Sequence, residues 1–382
     1  MLSDPRLLVL LVAGSLTTMA GGVVAPILPE MIQQLNLDPA LAGNLVSLHC
    51  LTIALFSPPL GIVADRIGHL RVLIPSLILY GLFGTAGAFM HSLMPLLVVR
   101  GLLGAASGGI AAASLGILGN MYEGEARSQA LGYATSTLTI MGIAFPLLGG
   151  WVGSFHWQWA FGLYGIGLPM AILAARFLPE KSSPKTKADA KDAGSKLRQV
   201  LGRPYTLRLL CTLSLVSIAM YAVVIYAPQY LKQTIDATSV VNGIVLASRA
   251  IGAAIISAFG TKKLAQRLGR SKTVAIGLGL MALTLSTIPI LHQLGWILVT
   301  AVFFGMGFGL VLPTLYGTLA NLAPPDLKSS VLAAGTGAGF LGQFISPILL
   351  GPVLAFCGLE WVFYAAAIVA LLAGVLLFAH QQ

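Results

Sequence analysis

The stretch Gly61-Ile62-Val63-Ala64-Asp65-Arg66-Ile67-Gly68-His69-Leu70-Arg71 decides the architecture, because its charged core returns 201 residues later as Arg267-Leu268-Gly269-Arg270-Ser271-Lys272. At the same spacing Gly104 and Gly108 fall on Gly305 and Gly309, Glu125-x-Arg127-Ser128 on Asp326-x-Lys328-Ser329, and Pro146 on Pro347. At a spacing of 202, Ala25-Pro26 meets Ala227-Pro228, and Trp159-x-Phe161 meets Trp361-x-Phe363. His49 and Arg249 stand 200 apart. So many matches at nearly one spacing mark an internal duplication. Both copies of the motif sit between long apolar runs, so each half is a set of membrane spans with the same topology. Parallel repeats of this kind place a pathway between two halves that work by alternating access.

Composition leads to the same solvent. The chain has 382 residues, 57% of them from AVILMFWYC and only 9% charged, with a mean hydropathy of +0.90. Soluble domains are about 25% charged, so too few charges exist here to coat a water-facing surface. Formal net charge is +10, but the basic residues cluster in short loops, where they set orientation and do not suggest nucleic-acid binding. Cys50, Cys211 and Cys357 are far apart in apolar runs, with no metal or redox spacing.

A bilayer core about 30 Å thick takes about 20 apolar residues to cross. Such runs fall at 7–29, 41–64, 72–90, 94–118, 129–153 and 160–178, then at 206–231, 240–260, 273–291, 295–320, 331–356 and 361–379. Arg6 before the first run resembles a secretory signal, but apolar sequence continues to Pro29, so the segment is expected to stay as the first helix. If the N-terminus is cytoplasmic, all Lys and Arg except Lys232, Arg100 and Arg249 fall in cytoplasmic segments. Both termini are therefore expected on the cytoplasmic side of a plasma or inner membrane. Trp157, Trp159, Trp296 and Trp361 sit beside the outer loops, as an aromatic belt would. The expected fold is an all-α membrane protein of twelve transmembrane helices in two six-helix bundles. Residues 1–178 form the first and 206–382 the second, joined by a flexible basic cytoplasmic linker over 179–205.

The Gly-x-x-x-Asp-Arg-x-Gly-x-x-Arg pattern of Gly61, Asp65, Arg66, Gly68 and Arg71 resembles the signature of the major facilitator superfamily, and the resemblance extends over essentially the whole chain. Arg100-x-x-x-Gly104 is similar to the family's helix-4 pattern. Phe145-Pro146-Leu-Leu-Gly149-Gly150 is similar to the Gly-Pro-x-x-Gly-Gly signature of its drug–proton antiporter branch, with Phe145 in place of the first glycine. The resemblance implies that Asp65 meets the positive N-terminal end of helix 11 near Ser329 and Ser330, as a conformational latch on the cytoplasmic side. The second half carries Gln266 at that place, so the latch is asymmetric. Pro146 and Pro347 are expected to bend helices 5 and 11. Gly337-x-Gly339-x-x-Gly342 matches a dinucleotide fingerprint in form, but it lies inside an apolar span and reads as helix packing.

All twelve carboxylates lie in loops or at span ends. His49, Arg100 and Arg249 are the charged or readily titrated side chains left inside spans, and an intramembrane ionisable residue marks a pathway or a buried partner. Arg100 either faces such a partner or snorkels to the outer surface. His49 is a proton carrier or a packing residue. Arg249, near midplane, is expected to bond backbone carbonyls or Gln343, or else to hold an anionic substrate. Tyr221, Tyr226, Tyr316 and Gln343 are further candidates for the substrate and proton pathway.

The leading expectation is a secondary active transporter for a small molecule, exporting an amphiphilic compound or metabolite against protons. It is expected to act as a monomer in the lipid bilayer, with no cofactor, metal or nucleic acid. The alternative is a facilitator or importer of an organic anion. A membrane sensor would need a soluble domain that no loop is long enough to form. An enzyme would need a nucleophile triad, paired carboxylates, HExxH or a Walker loop, and the sequence has none of these.

Overall fold

The computed structural model describes residues 4–178, 197–324 and 327–378. Twelve helices among them are long and apolar enough to cross a membrane. They are α1 (Pro5–Leu35), α2 (Pro39–Ile67), α3 (His69–Phe89), α4 (Leu93–Met121), α5 (Gly124–Gly153) and α6 (Trp157–Phe177), followed by α7 (Pro204–Ile235), α8 (Ser239–Leu268), α9 (Arg270–Ile290), α10 (Leu294–Leu322), α11 (Lys328–Cys357) and α12 (Leu359–Phe378). Each expected span is present. Most extend past the apolar run because polar caps, not hydropathy, end a helix. Asp4 and Asp38 cap α1 and α2 by accepting from Arg6 N and Ala40 N, with Pro5 and Pro39 at the first helical position. Of the expected linker, 179–196 lies outside the described residues, as does Asp326 of the repeat, and residues 197–201 are helical.

The duplication is visible in the backbone angles. Two non-glycine residues have positive φ, Asn36 at 52° and Asp236 at 48°, and each ends the first helix of its half. Asn and Asp tolerate the left-handed region better than other side chains. Gly68 (φ 108°) and Gly269 (φ 86°) make the sharp turns of the two motif copies, where a Cβ would be strained. α3 and α9 both close in a short 3₁₀ turn, Gly87–Phe89 and Ile288–Ile290. The halves differ at one place on the second helix of each. α2 carries Pro58 and Pro59, whereas α8 contains a π-helical turn over Ile256–Gly260.

The chain divides into two compact units, residues 1–185 with 238–243, and residues 186–237 with 244–382. In the first, α2 and α3 pack on α4, α1 on α5 and α6, and α3 on α6. In the second, α9 packs on α10, α7 on α11 and α12, and α9 on α12, so the pairings repeat. Glycines set the closest approaches. A methyl at Gly104 would lie 2.5 Å from the His49 carbonyl oxygen, bringing α4 onto α2. At the equivalent place, a methyl at Gly305 would overlap the Arg249 carbonyl oxygen, bringing α10 onto α8. Gly342 presses α11 onto the Ser214 backbone of α7 and Gly339 faces Ser217, whereas a methyl at Gly337 would meet nothing within 4 Å, so two of the three glycines of the dinucleotide-like pattern serve helix packing.

Large apolar side chains such as Leu55, Ile172, Phe259 and Phe356 are exposed on the outside, as in a protein solvated by lipid. Trp159, Trp296 and Trp361 are exposed too, but Trp157 is only 2% exposed. It donates Nε1–H to Gln34 Oε1 at 2.8 Å. The belt reading fails for Trp157 because its polar edge has a protein acceptor and does not need the membrane interface. Beside the start of α1, Tyr122 donates to Asp4 Oδ2 at 3.2 Å. Burial, then the Asp4 charge, raises the phenol above its usual range.

Gly104→Ala and Gly305→Ala are each expected to lower stability by about 1–3 kcal/mol through overpacking. Gly132→Ala on α5, where a methyl would meet nothing within 4 Å, should be neutral or stabilising by up to ~1 kcal/mol. Thermal unfolding of the purified variants in detergent checks the contrast, and equal midpoints for all three would refute the close-approach argument.

Candidate functional site

The first unit is organised around a buried cation. Arg100 on α4 is 1% exposed and donates from three nitrogens: Nε to Leu45 O on α2 at 2.8 Å, Nη1 to the Tyr164 hydroxyl on α6 at 3.1 Å, and Nη2 to Ala20 O on α1 at 2.5 Å. Nη2 also lies 3.4 Å from His49 Nδ1. Tyr164 in turn donates to Ala20 O at 3.0 Å and stands edge-on to Tyr80, whose hydroxyl donates to Leu16 O at 2.7 Å. Snorkelling is thereby excluded, because the guanidinium turns inward and joins four helices.

The sequence allows this because α1 loses regularity at that level. Its α-helical part ends at Gly22, and a 3₁₀ turn follows over Ala25–Ile27, with Pro26 inside it. The last four carbonyls of a helix have no intrahelical donor, and the helix end carries about half a negative charge. Ala20 belongs to that last turn, so Arg100 and Tyr164 act as its cap. A guanidinium has no acceptor capacity, so His49 Nδ1 accepts, and the ring carries its proton on Nε2, 3.5 Å from Cys50 Sγ.

Sequence reasoning paired neither Arg100 with His49 nor either of them with Tyr164. The partners stand 51 and 64 residues away, and no local pattern links such distant positions. The one available signal is that a membrane-buried arginine without a carboxylate needs hydroxyl and carbonyl acceptors, and in the first six spans the tyrosines are Tyr80, Tyr133 and Tyr164.

The Pro146 segment of α5 packs on the same part of α1. Phe145 and Pro146 lie against Gly22, and a methyl at Gly149 would fall 2.5 Å from Val23 O; Gly150 is buried as well. Pro347 is buried on α11 beside Ser346, which donates to Ile218 O on α7 at 3.0 Å. A cavity of about 100 Å³ opens among α1, α4 and α5, with Leu10, Leu11, Thr17, Ser114, Leu118 and Leu138 in its wall. The Ser114 hydroxyl is buried and has no hydrogen-bond partner.

At the motif turn Gly61 faces Ala112, Gly68 has its positive φ, and Arg66 and Arg71 are exposed. Asp65 is 49% exposed, with Oδ1 3.4 Å from His69 Nε2 at the start of α3.

The second unit holds its candidates more loosely. Arg249 on α8 is partly exposed and interacts electrostatically with Tyr221 of α7; its Nε is buried without a hydrogen-bond partner. Tyr226 is fully buried, and its hydroxyl has no partner either. Tyr316 donates to Thr336 Oγ1 at 3.4 Å, between α10 and α11. Gln343 is half-buried on α11.

Arg100→Met removes the cap from α1 and strands its acceptors, at about 1–3 kcal/mol for each buried group left unpaired. Stability is expected to fall by about 2–4 kcal/mol, with Arg100→Lys intermediate because an ammonium lacks the planar fork. Chemical or thermal unfolding measures it, and a fully stable Arg100→Met protein would overturn the capping account.

The pattern of the Major Facilitator Superfamily matches residues 209–381. The chain is similar to the bacillibactin exporter of Bacillus subtilis strain 168, at 23% identity over 91% of this chain and 89% of that protein. It is also similar to the multi-drug resistance efflux pump PmrA homolog of Lactococcus lactis subsp. lactis strain IL1403, at 24% identity over 91% of this chain and 86% of that one. Among solved structures, a bacterial homolog of the human lysosomal transporter Spinster, inward-facing and unoccupied, superposes with a TM-score of 0.79. It covers 99% of this chain and 97% of that chain at 17% identity, an identity at which the likeness speaks for fold alone. The relatives are transporters and not enzymes, the solved transporter shares the twelve-helix fold, and the second half of the chain matches the Major Facilitator Superfamily, so the chain is similar to transporters of that superfamily.

Proposed function

We propose that the chain exports a small amphiphilic compound or metabolite from the cytoplasm in exchange for protons. The observation that carries this reading is the cavity among α1, α4 and α5. Its wall is largely aliphatic, with one buried hydroxyl, Ser114, lacking a partner. Such a wall suits an apolar body that presents one polar group. Export of bacillibactin and multidrug efflux, the functions named for the two relatives, agree with this direction.

Proton coupling runs through His49 in this proposal. The carboxylates of the described helices, Glu30, Asp65, Glu125 and Glu360, lie toward helix ends, and His49 is the side chain within the expected apolar spans whose ordinary titration lies near neutral pH. Its Nδ1 faces Arg100 Nη2 at 3.4 Å. A rearrangement that withdraws Arg100 would open Nδ1 to a proton, so the Arg100 contact and the proton exclude each other. Asp65 is the proposed latch, supported by its exposed place at the end of α2 beside the Gly68 turn. A charge–dipole contact of about 0.3–1 kcal/mol biases two states without locking either. The alternative, a facilitator or importer of an organic anion, draws on Arg249, since Arg100 has its donors engaged within its own bundle.

In vesicles with an imposed pH gradient, accumulation of an accepted dye or drug should follow the gradient. His49→Gln should bind that compound but lose the response. Wild-type flux that ignores the gradient would rule out proton coupling, and a gradient response kept by His49→Gln would place the proton elsewhere. Asp65→Asn should shift the labelling of cysteines introduced at the two mouths while leaving membrane insertion intact. Unchanged labelling would argue against the latch.

A further inference from the structure

The two arginines within the spans, Arg100 and Arg249, have different surroundings. In the first unit every nitrogen position of Arg100 has an acceptor. Arg249 sits in the position equivalent to His49, ten residues beyond the start of α8 at Ser239, or about 15 Å along the helix. Its Nε is buried and unbonded. The described carboxylates of the second unit are Asp236, which caps α7 and pairs with Lys232, and Glu360 in the first turn of α12. Both belong to helix ends, far along the axis from Arg249.

A permanent cation in the membrane interior is costly unless its donors are met, and unsatisfied buried donors in native proteins need an explanation. Packing does not supply one here. Gly305 seats α10 against the Arg249 backbone, which fixes the position of this side chain without giving its guanidinium an acceptor. The side chain is also only partly covered, so a solute can reach it.

We infer that Arg249 is an anion subsite that takes the carboxylate or sulfonate group of the transported compound, with Tyr221 beside it. The inference rests on reading the chain as a transporter, and it deepens that reading by giving the amphiphile a negative head. The planar guanidinium matches such a group in bidentate fashion, which an ammonium cannot. A side chain kept for a ligand and not for the fold costs stability when the ligand is absent.

The test is binding at equilibrium, without flux. Purified protein in detergent is unfolded thermally with benzoate or naphthalene-2-sulfonate, and with benzamide or naphthalene-2-sulfonamide as neutral isosteres. The anions are expected to raise the wild-type midpoint, and the isosteres to leave it unchanged. Arg249→Met should unfold at or above the wild-type temperature without ligand and bind the anions at least about tenfold more weakly, the loss of one charged hydrogen bond or more. Arg249→Lys should keep part of the response. Equal anion shifts in wild type and Arg249→Met, no shift with either anion, or destabilisation by Arg249→Met matching that of Arg100→Met would each overturn the inference. Failure of vesicle transport with intact anion binding would instead count against the transport reading alone.

Discussion

The first bundle depends on one helix end meeting one cation. α1 cannot run straight past Gly22 because Pro26 withdraws a backbone donor, and the carbonyls left over face inward. Arg100 and Tyr164 fill that need together. The same contact joins α1, α2, α4 and α6, and it dictates the tautomer of His49. A carboxylate partner would neutralise the arginine more strongly but would itself have to be desolvated. A helix terminus supplies partial negative charge that the fold already contains. This is how the bundle keeps an arginine at its centre with carbonyl, hydroxyl and imidazole partners.

Around that contact the two halves share a backbone design and differ in chemistry. Gly104 on His49 and Gly305 on Arg249 are the same close approach made twice. One approach leads into a saturated network and the other to a guanidinium with an unbonded nitrogen. Symmetry of packing is cheap to keep, because a glycine stripe asks only for closeness. Symmetry of charge is lost more readily, since each buried charge needs its own partners. The two halves are thus told apart by the chemistry they hold and not by their backbone.

The fold was legible in the sequence because it is periodic and solvent-driven. Hydropathy over windows of about 20 residues and a duplicated motif require no knowledge of contacts. Helix ends were read less well: α8 continues to Leu268, beyond 260, because a basic, polar turn can stay helical outside the apolar slab. His49, Arg100 and Arg249 were recognisable as residues that a span would not carry idly. Their partners were not, since Tyr164, Leu45 and Ala20 are ordinary residues in their own segments. Whether an arginine is satisfied is a property of three-dimensional neighbours, and so the separation of Arg100 from Arg249 emerges only in the fold. Trp157 teaches the same lesson, with Gln34 as its unforeseen acceptor.

The π-helical turn in α8 accounts for an irregularity in the duplication. Asn36 and Asp236 stand 200 apart, as do His49 and Arg249, whereas Gly68 and Gly269 stand 201 apart. Ile256–Gly260 lies between those landmarks, and a π turn holds one residue more than the α turn it replaces. An added residue in a plain helix would turn everything after it by about 100° and push it 1.5 Å along the axis. Stored as a bulge, it leaves the second motif turn in the place of the first, and the Ser257 and Thr261 hydroxyls both close on Gly309 O. The second half has thus grown by one residue within this helix while staying in phase, with the surplus kept sideways in the coil and not in its length.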